Sequence, residues 1–472
     1  MKIFRKAKII ATLGPASSSG DMIRKLAIAG ANVFRLNFSH GTHETHKQNA
    51  TIIRNIEQEL ESPLAIMMDL QGPKIRIGVF ENGSVSLKQG SKFIFDLEKD
   101  FGSSKRVSLP HPEIFNALKE GTDLLLDDGK IRLKINENNG KEIITEVIDG
   151  GILSNKKGVN IPNIILPITA LTAKDKTDIA IVDEISADWV AISFVQTADD
   201  ISYARSFINK DVGILAKIEK PSAVECIDSI LTASDAIMVA RGDLGVELPY
   251  ESIPGIQRNL INKAREHRKP VVVATQMLES MISCHVPTRA EVSDVSCAVA
   301  EGADAVMLSA ESASGNFPEE AVKTMAKIIE RAESDNLDFF DKRFENLTAI
   351  AESVAKSVEK DDIKIITAFT ESGRCAINVS NSRPKANIIA FTPNLKTLRK
   401  LSLVCGVKSI LVDEIFSFSQ MVQITQRVLC RNFEIYDGEK VAIVAGIPFR
   451  ASGQTNLLHI YKIDKEIVQN DE

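Results

Sequence analysis

The chain has 472 residues, a formal charge of −6 and a pI near 5.8, with 44% hydrophobic and 25% charged residues and few aromatics. That length predicts about three domains with ample core, and the acidic balance argues against a nucleic-acid partner. No apolar run nears the roughly 18 residues of a membrane span, so no membrane partner is expected. The six cysteines (Cys226, Cys284, Cys297, Cys375, Cys405, Cys430) form no CxxC pair, and most are expected to be small buried hydrophobes of a reduced, cytoplasmic protein.

The opening MKIFRKAKIIATLGPAS sets basic residues before an apolar run, as a secretion leader does, but the run is short and Pro15 ends it, so it reads as a first strand. Continuous apolar runs then recur at 8–13, 32–37, 64–69, 189–194, 213–218, 236–240, 270–275 and 305–309. Unbroken rather than alternating apolar character suits parallel strands covered on both faces. Helical stretches lie between them, including 42–60, 197–210, 253–268 and 317–334, with Thr42 and Thr197 as N-caps and Pro318 in a first turn. His40, His43 and His46 sit at helix-like spacing, but no Cys accompanies them and no zinc site is expected. Eight such units predict a (β/α)8 TIM barrel.

One interval breaks the period. About 120 residues separate the third run from the fourth, where 84–97, 130–135 and 141–151 alternate apolar and polar residues between Gly and Asn turns. A small β-barrel lid is therefore expected at 70–169, inserted into a catalytic barrel made of 1–69 and 170–345. After 345 the pattern restarts with a helix at 347–360 and strands at 363–370, 386–392, 408–412 and 440–446, predicting a C-terminal α/β domain over 346–472.

Chemistry in such a barrel gathers past the C-terminal strand ends. Those positions hold Arg35, Asn37, Ser39, Asp69, Ser193, Lys217, Glu219, Arg241, Asp243, Thr275, Ser309 and Glu311. Polar residues end strands in any case, which accounts for about half of them. It does not account for Lys217 and Glu219 alternating inside ILAKIEKP, where a strand points both to one side, toward Asp243. Two carboxylates beside fixed cations suit a hard divalent ion and an anionic substrate. Phosphoryl transfer asks for such a set.

The segments FRLNFSHGTHE, MDLQGPKIRIG, SNKKGVNIP, AKIEKPSAV, MVARGDLGVELP, VVVATQMLESM, PTRAEVSDV and VMLSAESASGNFP, with TESGRCA and SGQTNLLHIYKI further on, resemble the signature segments of pyruvate kinases, in family order over the whole chain. The resemblance implies phosphoryl transfer from phosphoenolpyruvate to ADP, giving ATP and an enolate that is protonated to pyruvate. Lys217 matches the family's catalytic lysine, and Glu219 and Asp243 match its ligands for Mg²⁺ or Mn²⁺. Arg35 matches a phosphate contact, while Gly242, Asp243 and Thr275 match positions around the substrate carboxylate, Thr275 also belonging to a proton relay. Arg76 and Lys157 match nucleotide-phosphate contacts, and Pro15 and His40 adenine-side positions, a loop role for His40 being equally compatible. Asn37, Ser39, Asp69 and the Leu70 carbonyl match potassium ligands. Lys74 stands where the potassium-dependent branch carries a glutamate, so its ammonium is expected to replace K⁺. Thr370, Ser372 and Gly373 match a loop holding a phosphorylated effector, with Cys375 where a hydroxyl is usual. The family also implies a homotetramer. Two other readings stay open: a silent paralogue acting as a scaffold, against which Lys217, Glu219, Asp243 and Thr275 count, and a metal-dependent aldolase, which has no place for Arg35, Lys157 or the effector loop.

Overall fold

The computed structural model describes residues 4–162, 164–335, 347–447 and 455–465. The expected boundary at 345/346 and residues 452–454 of the SGQTNLLHIYKI segment lie outside them.

Eight strands close a parallel barrel: Lys8–Leu13, Val33–Asn37, Ala65–Asp69, Trp189–Ile192, Gly213–Ile218, Ala236–Ala240, Val271–Ala274 and Ala305–Leu308. Each pairs with its neighbour in chain order, and the eighth closes on the first with Lys8 opposite Ala305. Successive side chains enter two different cores. Ile10, Val33, Met67, Leu215, Met238 and Val272 fill the barrel interior, while Ile9, Phe34, Ile66, Ile214 and Val273 pack under the outer helices. Burial on both faces is why these strands read as unbroken apolar runs. Thr42 caps helix His43–Glu59, Thr197 closes a capping box on Ala198–Arg205, and Pro318 starts Pro318–Ser334. The 197–210 helix is shorter than expected, ending at Arg205.

Between Asp69 and Trp189 the chain builds two sheets. In the six-stranded one the order is Val159–Asn160, Asp123–Leu126, Ile131–Asn138, Glu142–Asp149, Lys92–Asp96 and Arg106–Ser108, the last pair parallel and the rest antiparallel. Ser84–Leu87 pairs antiparallel with Gly151–Ser154, and both sheets share an apolar core around Phe93, Phe95, Leu124 and Leu153.

The C-terminal sheet runs Val407–Leu411, Asn387–Thr392, Ile365–Phe369, Lys440–Ala445 and Leu457–Lys462, with only the last strand antiparallel. Helices Ala349–Asp361 and Arg374–Asn381 cover one face and Phe418–Asn432 the other. The cysteine expectation needs correction: Cys375 and Cys405 are buried, but Cys284 and Cys297 are exposed and Cys226 and Cys430 half-buried. They lie on amphipathic helices or loops, where an apolar neighbourhood in sequence does not fix the face.

Candidate active site

The strand ends assemble one charge cluster from four strands. Asp69, the last residue of the third strand, is buried, with Oδ2 2.5 Å from Arg35 Nε of the second strand. Arg35 also donates to Thr12 Oγ1 of the first strand at 3.2 Å. Lys217, on the fifth strand, lies 2.8 Å from Glu219 Oε1 and 3.4 Å from Asp69 Oδ1, and donates to Ser193 Oγ at 2.8 Å. The Ser193 hydroxyl in turn donates to the Leu70 carbonyl at 2.8 Å. The alternation read in the sequence places Lys217 and Glu219 on one side.

Electrostatics divides the cluster. Burial works against the Lys217 ammonium, but Asp69 and Glu219 outweigh it and hold its pKa above the ordinary lysine range. Burial likewise pushes the Asp69 carboxyl up, and Arg35 and Lys217 reverse this to leave it below the usual range. Glu219 goes the other way: burial raises it, Lys217 only partly pulls it back, and the charge of Asp243 adds repulsion. Phe194 N–H donates to Glu219 Oε2 at 2.8 Å. The Glu219–Asp243 corner thus carries more negative charge than its neighbours neutralise, which a bound cation relieves. Among the described residues no group of three or more His, Cys, Asp or Glu could hold a metal. A pair of carboxylates that leaves the other positions to substrate oxygens and water fits Mg²⁺ or Mn²⁺.

Thr275 and Gln276 follow the seventh strand at φ 71° and 54°. A β-branched residue in the left-handed region is strained and persists only where its surroundings dictate it. Here Thr275 Oγ1 accepts from Gly242 N–H at 2.7 Å and lies 2.5 Å from the Ala274 carbonyl, while Arg241 donates to the Thr275 carbonyl at 2.7 Å. Arg241, one of the strand-end candidates, is committed elsewhere, pairing with Asp294 at 2.6 Å. So is Glu311, whose carboxylate accepts from the backbone N–H groups of Leu278 and Ser309 at 3.2 and 2.7 Å.

The segments bearing Arg76 and Lys157 run side by side where the inserted sheets join the barrel. Arg76 bridges to Gly158 and donates to the Lys156 carbonyl at 3.0 Å, Ile77 N–H donates to the Lys157 carbonyl at 3.0 Å, and Lys157 pairs with Asp127 at 2.6 Å. Lys74 lines a small cavity there with Gly158, Phe194, Lys220 and Asp243. Among the described residues the charged partners of Asp69 are Arg35 and Lys217, and Lys74 is not one of them. Asn37 Oδ1 accepts from Ser39 N–H at 3.1 Å. Pro15 and His40 lie exposed on the loops after the first and second strands. In the C-terminal sheet, Thr370 Oγ1 accepts from Gly373 N–H at 2.9 Å, and Gly373, at φ 87°, opens helix Arg374–Asn381, with Ser372 on the same loop. Cys375 faces the core instead, and burial pushes its thiol up to about 12.

Sequence reasoning missed Thr12 and a triad in which buried Lys220 pairs with buried Glu247 and half-buried Asn160 donates to the same carboxylate oxygen at 3.0 Å. All three of the triad stood inside the motif segments; their meeting depends on how the insert folds back.

The barrel-domain family model of pyruvate kinases matches residues 4–322, and the alpha/beta-domain model of the same family matches residues 348–461. A pyruvate kinase of Methylorubrum extorquens is 44% identical, covering 99% of both chains, and one of Clostridium perfringens is 40% identical over 97% of this chain and 100% of its own. A crystal structure of a pyruvate kinase from Cryptosporidium parvum superposes with a TM-score of 0.90 at 32% identity, covering 97% of this chain and 96% of that one. With both domain models matched and whole-length relatives at 40% and 44% identity, this chain belongs to the pyruvate kinase family.

Proposed function

We infer that the cluster around Lys217 carries the family's reaction, moving the phosphoryl group of phosphoenolpyruvate to ADP to give ATP and pyruvate, the last step of glycolysis. The observation that carries this reading is a half-buried lysine kept charged by two carboxylates and hydrogen-bonded to a hydroxyl, beside Arg35, at the strand ends of a closed barrel. Phosphoryl transfer needs little covalent help from the protein and much fixed positive charge.

In this reading Lys217 steadies the phosphoryl group in flight and Arg35 binds it at the start. Gly242, Asp243 and Thr275 receive the substrate carboxylate, and the Thr275 hydroxyl lies on the route by which the enolate carbon gains its proton. Arg76 and Lys157 take the nucleotide phosphates, with Pro15 and His40 toward the adenine. Glu219 and Asp243 hold the divalent cation, which supplies positive charge to the phosphoryl oxygens. The inserted sheets close as a lid that keeps water from competing as acceptor.

Lys74 supplies the charge that K⁺ gives elsewhere in the family, so Asn37, Ser39, Asp69 and Leu70 work without a monovalent ion. A phosphorylated metabolite binds at Thr370, Ser372 and Gly373, and the protein works in the cytoplasm as a homotetramer. Among the described residues no helix is long and apolar enough to cross a membrane.

The test is pyruvate formation from phosphoenolpyruvate and ADP in a coupled assay, in tetramethylammonium buffer with and without K⁺. The wild-type protein should reach full rate without K⁺, and Lys74→Glu should become strongly K⁺-activated. No pyruvate formation overturns the reaction. Strong K⁺ stimulation of the wild type, or none in Lys74→Glu, overturns the role of Lys74 alone.

A further inference from the structure

Helix Ala173–Ile179 is the first element of the barrel after the inserted sheets. Its N-cap is Thr172, whose hydroxyl accepts from Asp175 N–H while the Asp175 carboxylate accepts from Thr172 N–H, a reciprocal capping box. Neighbouring residues of this one turn each reach a different strand-end loop. Lys174 Nζ donates to the Phe38 carbonyl at 2.7 Å, on the loop after the second strand. Asp175, fully buried, accepts from Gly72 N–H at 3.2 Å, on the loop after the third.

Both grips are backed by further contacts. Asp178 is buried and pairs with Lys174 at 2.6 Å and with His43 Nε2 at 2.7 Å. His46 stacks on Phe38 with ring centroids 4.1 Å apart, and its Nε2 meets the His40 carbonyl at 3.0 Å. The carbonyls flanking Ser39 are thus both anchored, one by Lys174 and one by His46. Gly72 sits at φ 67°, and a Cβ there would come within 2.9 Å of Ser193 Cβ, the residue whose hydroxyl meets Lys217. The loop gripped by Asp175 therefore runs against the cluster itself.

We propose that Lys174, Asp175 and Asp178 are positioning residues for the reaction, a clamp through which the return of the chain from the inserted sheets sets the loops bearing Ser39, His40 and Lys74, next to Asn37 at the strand end. This rests on the reading of the strand-end cluster as the active site. None of the three touches a reacting atom. Lys174 and Asp178 fix main-chain atoms of the loop bearing His40, the nucleotide side in that reading, and phosphoenolpyruvate, held by Arg35, Lys217 and the Gly242–Thr275 corner, depends on these two less. Losing a charge-assisted hydrogen bond to a loop carbonyl is expected to shift loop occupancy roughly tenfold.

The test compares Lys174→Met and Lys174→Arg in the full chain. Lys174 is half exposed, so the Met variant should melt within a few degrees of wild type. It should raise KM for ADP about five- to tenfold while KM for phosphoenolpyruvate changes less than twofold, and Lys174→Arg, which keeps both bonds, should restore KM for ADP. Asp178→Asn should behave as Lys174→Met does, since it removes the charge that orients Lys174. Equal rises in both KM values, or failure of Arg to rescue, assign the residues to general stability and overturn the clamp. Unchanged ADP kinetics in an active Lys174→Met enzyme overturns the clamp and leaves the active-site reading standing. Absence of turnover in the wild type overturns that reading, and the clamp with it.

Discussion

Two lysines at opposite ends of the same barrel, Lys217 half-buried and Lys8 buried, set the charge proposed to work in the reaction against a structural one. Among the described residues the partners of Lys217, at the C-terminal strand ends, are the side chains of Asp69, Glu219 and Ser193, and its ammonium stays charged against the cost of partial burial. Lys8 starts the first strand at the other end, where the C-terminal domain docks, and donates to the Val407 carbonyl at 2.6 Å. Burial, with the charge of Arg5 nearby, pulls its pKa down to about 8. Around Lys8 the carboxylates answer main-chain donors: Glu333 takes the N–H groups of Lys6 and Ala7, and Asp304 those of Val271 and Cys405. Glu57 takes Leu64 N–H as well as Arg54 and Arg399, the latter from the C-terminal domain. Backbone partners cannot be exchanged without unfolding, whereas side-chain partners can give way to substrate oxygens. In the proposed reading, Lys217 can therefore trade its contacts for substrate, while the main-chain contacts of the docking end stay in place.

Lys217→Met is the hardest blow to this contrast. It should lower turnover ~10²-fold or more, as loss of an electrostatic catalytic group does, while phosphoenolpyruvate binding measured by calorimetry survives because the interaction strengthens in the transition state. More than about a tenth of wild-type turnover would return Lys217 to the structural class. A smaller effect is expected at the negative corner. Glu219→Gln and Asp243→Asn should each raise the Mg²⁺ concentration for half-maximal rate about tenfold, one such step being roughly 1.4 kcal/mol of lost cation affinity. An unchanged Mg²⁺ titration removes that residue from the cation site.

The smallest effect on turnover, under about twofold, is expected from Lys8→Met, a side chain far from the chemistry. Its signature is in stability against pH. The folded protein gives up the Lys8 proton near pH 8 and the unfolded chain near 10.5, so between those values the unfolded state binds more protons and wild-type stability rises with pH. Relative to Lys8→Met, the wild type should gain about 3 kcal/mol from pH 7 to pH 10.5, read by urea denaturation. A constant difference between the two proteins would mean that Lys8 is solvated and that the contrast with Lys217 is not one of burial.

The sequence alone determined the eight barrel strands to within one or two residues, because strands buried on both faces must be apolar throughout. It also determined the interruption after Asp69, because strands with one wet face must alternate. It made Lys217 and Glu219 legible as a pair, since two residues apart on a strand is a local relation, and Asp243 legible through its motif. Only the tertiary structure decided which polar groups meet. It turned Arg241 toward Asp294 and Glu311 toward backbone N–H groups, joined Asn160 of the insert to Glu247, set Lys174 on the Phe38 carbonyl, and added Leu457–Lys462 as an antiparallel edge. Periodicity encodes which face of an element is buried. It does not encode which of several polar residues, brought together from 33 to 136 positions apart, finds a partner at hydrogen-bonding distance; that depends on the packing of whole elements against one another.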